Sequence, residues 1–468
     1  MWSQVPSPEI EIQHQLEQAA RPLQAPAASV HELDLSPRSF RTAFGGLFLF
    51  LPDLAQLRFD ALATHAGLPG SQLIPAPQAA LSVLALKLWG VGRPARLMPD
   101  VLDPGPALFA GLNAIPKRST LSEYSARIDP RHVPRFAAAW LDAARPLGLH
   151  GGTSFDLDFH TVPYPGEQAF LEKHFVSKRS RRQRGVLTFL ARDAREDIFC
   201  FADANVRKAD QHTAVLRFAD AFRQRTGQLP AELVFDSRLT TYAVLAQLDA
   251  RGIAFLTLRR RSPRLVRELL ATDGWQQLTL ANIGRKYRRP RALDRLIALR
   301  GYPRPIRQIA VTDLGHDKPT LLLTNQLDTK PAELVDRYAR RMVIENAIAE
   351  SIDFFHMDAL SSAVPLKIDA DLQFTVMAGT LYRLLGRRLG HGHERMRARQ
   401  LFERFVRTAA TVRIHEHSVE VRLGRRAHNP LLLAAGFGDD RPAIPWLGNK
   451  TLKLVIGLDE PKQSHPNL

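Results

Sequence analysis

The stretch 331–357, PAELVDRYARRMVIENAIAESIDFFHM, constrains the chain more than any other. Thr329 and Pro331 supply a helix start signal, and no Pro or Gly follows within the segment. The spacing predicts one continuous helix. Wound at about 100° per residue, Leu334, Met342, Ile344, Ile348, Ile352 and Phe355 share a sector about 160° wide, the face expected to be buried. Arg341 and Glu345 fall inside that sector. Asn346, Glu350 and Asp353 fall outside it and read as solvated. An ionised carboxylate on a buried face is costly unless something pairs with it or coordinates it. Glu345 therefore pairs with Arg341 or holds a metal ion. A buried pair that only keeps the helix in register explains the spacing equally well.

Two more acids stand out. Residues 153–162, TSFDLDFHTV, alternate, so that Phe155, Leu157 and Phe159 point one way and Asp156, Asp158 and His160 the other. Asp158 is the preferred first acid. Asp156, about 7 Å away along the strand, is a second ligand or a strand-start residue and ranks below it. His160 reads as a hydrogen-bonded structural group. Asp236 ends the short apolar run 233–236, LVFD, and precedes Ser237, a residue type that caps helices. Acids at the carboxyl ends of strands line the crevice of α/β sheets, although an Asp there can also merely cap the next helix. Three carboxylates from separate elements suffice for two-metal phosphoryl transfer, because Mg²⁺ keeps waters and takes up phosphate oxygens.

Tyr338, Arg341 and Glu345 read Tyr-x2-Arg-x3-Glu, LDFHTVPYPG surrounds Asp158, and VFDSRLTTY surrounds Asp236. In this order the three motifs resemble the acidic motifs of DDE transposases of bacterial insertion sequences, a group with a ribonuclease H-like core. The resemblance covers roughly residues 150 to 390. It implies that Asp158, Asp236 and Glu345 are the catalytic, metal-binding acids and that they hold two Mg²⁺ or Mn²⁺ ions. It also implies that Tyr338 contacts the transposon end and that Arg341 orients Glu345 or touches DNA. The family's signature continues with a Lys seven residues after the Glu; here that position is Ile352. The family carries a β-rich insertion between its second and third acids, and the interval from Asp236 to Glu345 is long enough for one.

The charge agrees with a DNA substrate. The 468 residues contain 64 Lys and Arg against 47 Asp and Glu, a net charge of +17, and such an excess points to a polyanion. Three basic runs flank the acids: 178–184 with Lys178, Arg179, Arg181 and Arg182; 259–264; and 285–291 with Arg285, Lys286, Tyr287 and Arg288. Together they form a phosphate track, with Tyr287 available to stack on a base. The same runs, and an aromatic share of 8%, argue against a glycosidase built on paired carboxylates. Cys200 is the only cysteine, which excludes an intrachain disulfide and a Cys-based zinc site and fits a reducing compartment. His391/His393 and His415/His417 lack further ligands nearby, and no P-loop or dinucleotide fingerprint occurs. The apolar run 46–52 is too short to span a bilayer, and no signal peptide is expected.

The expected fold is α/β, a ribonuclease H-like mixed sheet flanked by helices, interrupted by a β-rich insertion and preceded by a helical N-terminal region. The expected limits are 1–75 for the N-terminal helices and 76–150 for a helical region that binds DNA ends. The catalytic core takes 151–258 plus 326–390, the insertion 259–325, and a C-terminal dimerisation region 391–468. Within 76–150, Ser119 or Thr120 caps a helix that presents Tyr124 and Arg127 to DNA. The resemblance implies a cytoplasmic, nucleoid-associated enzyme with no membrane partner, acting as a homodimer on terminal inverted repeats and target DNA. The alternative is a domesticated transposase that binds DNA but has lost its chemistry.

Overall fold

The computed structural model describes residues 33–92, 100–163, 172–176, 181–237, 239–281, 289–358 and 368–457. Contacts divide the chain into two units, 1–147 with 350–468, and 148–349.

The first unit begins with strand β1 (Arg38–Thr42) and helices α1 (Leu51–Gln56), α2 (Phe59–His65), α3 (Ala76–Leu88), α4 (Pro104–Phe109), α5 (Arg118–Arg127) and α6 (His132–Ala144). The apolar run of α3 is buried almost all round and carries Lys87 inside with it. The Lys87 ammonium donates to the Phe355 carbonyl at 3.0 Å, and burial lowers its pKa. Helix α5 differs from the DNA-facing element expected of it. Tyr124 is buried, its ring 6.3 Å from that of Phe374, so this side chain belongs to the core.

The second unit is built on one sheet. Its strands are β2 (Ser154–Pro163), β3 (Lys173–Val176), β4 (Arg181–Asp193), β5 (Ile198–Val206), β6 (Glu232–Phe235), β7 (Ala254–Leu258), β8 (Gln276–Gln277), β9 (Arg291–Ile297), β10 (Ile306–Thr312) and β11 (Thr320–Thr324). Three helices interleave with them: α7 (Ala214–Thr226) between β5 and β6, α8 (Tyr242–Ala250) between β6 and β7, and α9 (Pro263–Leu270) after β7. The order is β3-β4-β2-β6-β7-β11-β10-β9-β8, with β5 also on β4. β2, β6 and β7 run parallel, and β4 is antiparallel to both β2 and β5. This mixed sheet with its helices is in keeping with the ribonuclease H-like α/β core expected. The strands after β7 add to the same sheet, beginning with the antiparallel pair β7–β11.

Local chemistry fixes the start of β2. Gly152 donates its N–H to the buried Asp193 carboxylate at 2.9 Å, and a Cβ there would lie 2.2 Å from that carboxylate. Only glycine fits this approach. Along β2, Phe155 packs on Phe218 and Phe222 of α7, so the acids of the alternating set lie on the other face of the sheet.

The stretch expected to be one helix is two: α10 (Pro331–Arg341) and α11 (Val343–Asp353), parted at Met342. Val335 and Ile344 are both buried, yet nine residues on a straight helix would place them about 180° apart. The break allows both to reach apolar surroundings. It leaves Met342 56% exposed, against its expected place on the buried face.

The first unit resumes within α11 and continues with α12 (Ile368–Leu389), α13 (Ala398–Leu401), β12 (Ala410–Ile414), β13 (Ser418–Leu423), α14 (Asn429–Ala434), β14 (Ala443–Ile444) and β15 (Lys450–Ile456). Its sheet has the order β1-β12-β13-β15-β14, and the expected hairpin is β12–β13. Among the described residues no helix is long and apolar enough to cross a membrane.

Candidate active site

β2, the end of β6 and the junction of α10 with α11 carry the three acids and the two partners predicted with them. Asp158 lies within β2. One carboxylate oxygen accepts the Phe159 N–H at 2.8 Å, and the other is 3.0 Å from an Arg341 guanidinium nitrogen. Burial raises the Asp158 pKa, and the charges of Asp236 and Glu345 push it the same way. Arg341 and the Phe159 N–H oppose the shift without cancelling it. Asp236 and Glu345 are therefore close enough for their charges to be felt at Asp158.

Asp236 is the first residue beyond β6, half-buried, and accepts the Ser237 N–H at 2.5 Å. Ser237 is not the helix cap it was expected to be. Thr241 caps α8, its hydroxyl accepting the Val244 N–H at 3.4 Å. Glu345 lies in the first turn of α11, where a carboxylate suits the helix dipole. It is exposed, not buried as the continuous helix implied, because the break at Met342 rotates it out of the apolar sector.

Arg341, the last residue of α10, is buried. Its strong ion pair is with Asp158, not with Glu345 as one sequence reading held. It also donates to the Leu157 carbonyl at 3.4 Å and lies 5.9 Å from the centre of the Tyr338 ring. Burial works against its charge, but Asp158, Tyr338, Asp236 and Glu345 together hold it protonated. Burial raises the Tyr338 hydroxyl pKa; Arg341 opposes the shift, while the fields of Asp236, Asp158 and Glu345 add to it. Tyr338 and Arg341 thus share one electrostatic neighbourhood with the three acids.

Asp156 is not available as a ligand. It is fully buried between Arg192 and Arg337, each at 2.7 Å, and Arg192 also pairs with Asp197. Arg337 reaches on to Glu232 at 2.6 Å and to the Ser154 hydroxyl at 3.0 Å. Arg337 and Glu232 escaped the sequence reading, although the spacing held a clue. Asp156 and Asp158 are two residues apart on a strand, roughly 6.6 Å. Arg337 and Arg341 are four apart on a helix, roughly 6 Å. The two spacings match, so strand and helix form two Arg–Asp rungs, one sealed and one at the site.

Glu350 also differs from expectation. Its carboxylate is half-buried, one oxygen has no partner, and burial raises its pKa against the backbone N–H groups of Ala398 and Arg399 at the start of α13. Lys178, Arg179, Arg285, Lys286, Tyr287 and Arg288 lie outside the described residues, as does the side chain of Arg181. Arg182 is exposed on β4.

The donor set is of the type that suits a hard divalent cation: carboxylate oxygens whose mutual repulsion a cation would relieve. In the present arrangement the cation beside Asp158 is Arg341. Among the described residues no three Asp, Glu, His or Cys side chains gather closely enough to hold one metal ion. The fit therefore lies in donor chemistry and shared electrostatics.

Residues 150–379 match the family described as Transposase DDE domain. No curated protein matches the chain. Among solved structures it is similar to the piggyBac transposase in a synaptic complex with hairpin DNA. The identity is 10% and the TM-score 0.36, over 78% of this chain and 86% of that one, a likeness too distant to bear on function. DDE transposase domains generally use divalent metal ions. The matched segment begins just before β2 and contains Asp158, Asp236, Glu345 and both rungs, so the chain carries a DDE transposase domain, the domain of DNA-cleaving and strand-transferring enzymes.

Proposed function

We propose that Asp158, Asp236 and Glu345 catalyse cleavage at transposon ends and transfer of the freed strand into target DNA. The single observation that carries this is the Asp158–Arg341 ion pair at 3.0 Å within the matched domain, which ties the first acid on β2 to the helix junction that bears Tyr338 and Glu345. In the first step a water oxygen bonds to a backbone phosphorus and the 3′-oxygen leaves, taking a proton. In the second step that 3′-hydroxyl attacks a target phosphate and displaces another 3′-oxygen. Asp158, Asp236 and Glu345 would hold two Mg²⁺ or Mn²⁺ ions, which when bound would neutralise charge on the entering and leaving oxygens. Asp158 is held by the Phe159 N–H and Arg341, which fixes its orientation. Glu345 is open to solvent, as a group that meets DNA and a hydrated ion must be. Tyr338 contacts the end DNA, and Arg341, buried against Asp158, orients the acids. The element is an insertion sequence, its partners are terminal inverted repeats and target DNA, and the working form is a homodimer in the nucleoid.

Glu345→Gln keeps size and hydrogen bonding but removes a charge. Cleavage of end DNA with Mg²⁺ or Mn²⁺ is expected to vanish while DNA binding and folding persist. Undiminished cleavage by this variant refutes the assignment.

A further inference from the structure

The carboxyl ends of β6 and β7 enclose a cavity of about 470 Å³, beside the second acid. Ser237, the neighbour of Asp236, forms part of its wall. The wall continues through Thr241 and Tyr242 at the start of α8, Thr257 of β7, Arg260 just beyond β7, and His212 before α7. The volume lies within the range of pockets that bury a small ligand. A crevice at the carboxyl ends of parallel strands is where α/β sheets bind ligands.

Among the described residues, two buried polar atoms in this wall have no hydrogen-bond partner. Thr257 is 1% exposed and its hydroxyl makes no hydrogen bond. The same holds for Nδ1 of His212. Leu256 and Leu258 on either side of Thr257 pack with Leu334 and Val335 of α10, so Thr257 faces the opposite side of the sheet, toward α8. A buried hydroxyl without a partner is destabilising, and a ligand removes that cost by bonding to it. The other features of the wall select the ligand. Arg260 is an exposed cation at the rim, and the nine-residue α8 turns its N-terminus, capped by Thr241, to the same place. Both favour a phosphate. The Tyr242 ring and Leu245 give a surface for a flat, partly apolar group.

We propose that this cavity binds one nucleotide of a single-stranded DNA segment, with its phosphate at Arg260 and the start of α8 and its base near Thr257 and His212. The proposal rests on the DNA substrate argued above and adds a place for the strand beside Asp236.

The test uses the full chain, a fluorescent 12-nucleotide oligothymidylate, thymidine monophosphate and inorganic phosphate. Thr257→Val and Arg260→Gln are each expected to weaken oligonucleotide binding roughly fivefold to tenfold. The denaturation midpoint of Thr257→Val should hold or rise, because the hydroxyl has no partner to lose. Thymidine monophosphate should compete better than phosphate, and a 4-thiothymidine oligonucleotide should cross-link to the peptide containing Tyr242. Wild-type affinity in both folded variants, or cross-links only elsewhere, overturns the proposal. Equal competition by phosphate reduces the cavity to an anion site and overturns the nucleotide assignment. If end cleavage is normal while these variants bind like wild type, the cavity assignment alone fails; a wild-type chain that neither cleaves nor binds DNA removes the function on which it rests.

Discussion

Replacing Asp156 by Asn separates the two rungs. Asp156 is fully buried, with one oxygen on Arg337 and the other on Arg192, both at 2.7 Å. Asn keeps the volume and one acceptor but removes the charge that both guanidinium groups were buried against. Arg337 retains Glu232, and Arg192 retains Asp197, so neither is stripped entirely. Breaking a buried ion pair by removing one partner typically costs about 3–5 kcal/mol, and the remaining partners place this loss near the lower figure, about 3 kcal/mol. Asp158→Asn is the contrasting control. The ionised form of Asp158 is disfavoured by burial and by two nearby carboxylates, which offsets part of the loss of the acid paired with buried Arg341, so the cost should be smaller, about 1–2 kcal/mol. Urea denaturation, together with hydrogen exchange of β2 and α10 peptides, measures both variants. Exchange in those peptides should accelerate more in Asp156→Asn than in Asp158→Asn, while Asp158→Asn abolishes cleavage. A loss below about 1 kcal/mol in Asp156→Asn, or equal losses in the two variants, refutes the division into a sealed rung and a working rung.

Glu350→Ala should lose roughly 1 kcal/mol, the worth of a helix cap at α13, and still cleave end DNA with Mg²⁺; selective loss of cleavage would move the third acid. Ile352 is half-buried, and Ile352→Lys should be unnecessary for cleavage and lower the denaturation midpoint; activity found only in the Lys variant would make the native chain a degenerate enzyme. Binding to end DNA should fall by orders of magnitude between about 50 and 200 mM salt if roughly 6 to 10 phosphates are engaged, and a flat titration would exclude such a track. Asp53 is pushed up to about 7 by burial, with Asp440 adding and Arg388 opposing. Because the folded pKa lies above the ordinary 3.8, its contribution to stability is full below about pH 4 and is lost as pH rises through about 7. Asp53→Asn should flatten that decline and gain on the order of 3 kcal/mol at neutral pH, and an unchanged slope in pH-dependent denaturation would refute it.

The strand–helix order around Asp158 and Asp236 was legible because local signals carry it. Alternation over 153–162 gives β2 and its two faces, and the apolar run 233–236 gives the buried strand whose end exposes an acid. The break at Met342 was not legible, since neither Pro nor Gly marks it. It follows from packing, in which Val335 and Ile344 both need burial from opposite sides of one helical phase. That long-range demand also decides the site. A straight helix holds Glu345 in the apolar sector beside Arg341 and makes their mutual pairing attractive. The break turns Glu345 to solvent and leaves Arg341 to the acid on β2. The same reasoning explains why Asp156 was ambiguous. Its distance from Asp158 is set by the strand alone, whereas its fate depends on Arg192 one strand away and on Arg337, 181 residues later. With Asp156 neutralised inside the protein, Asp158 is left as the one acid of the pair on β2 that retains partial access to solvent. Burying one carboxylate against two arginines thus leaves the other to the chemistry.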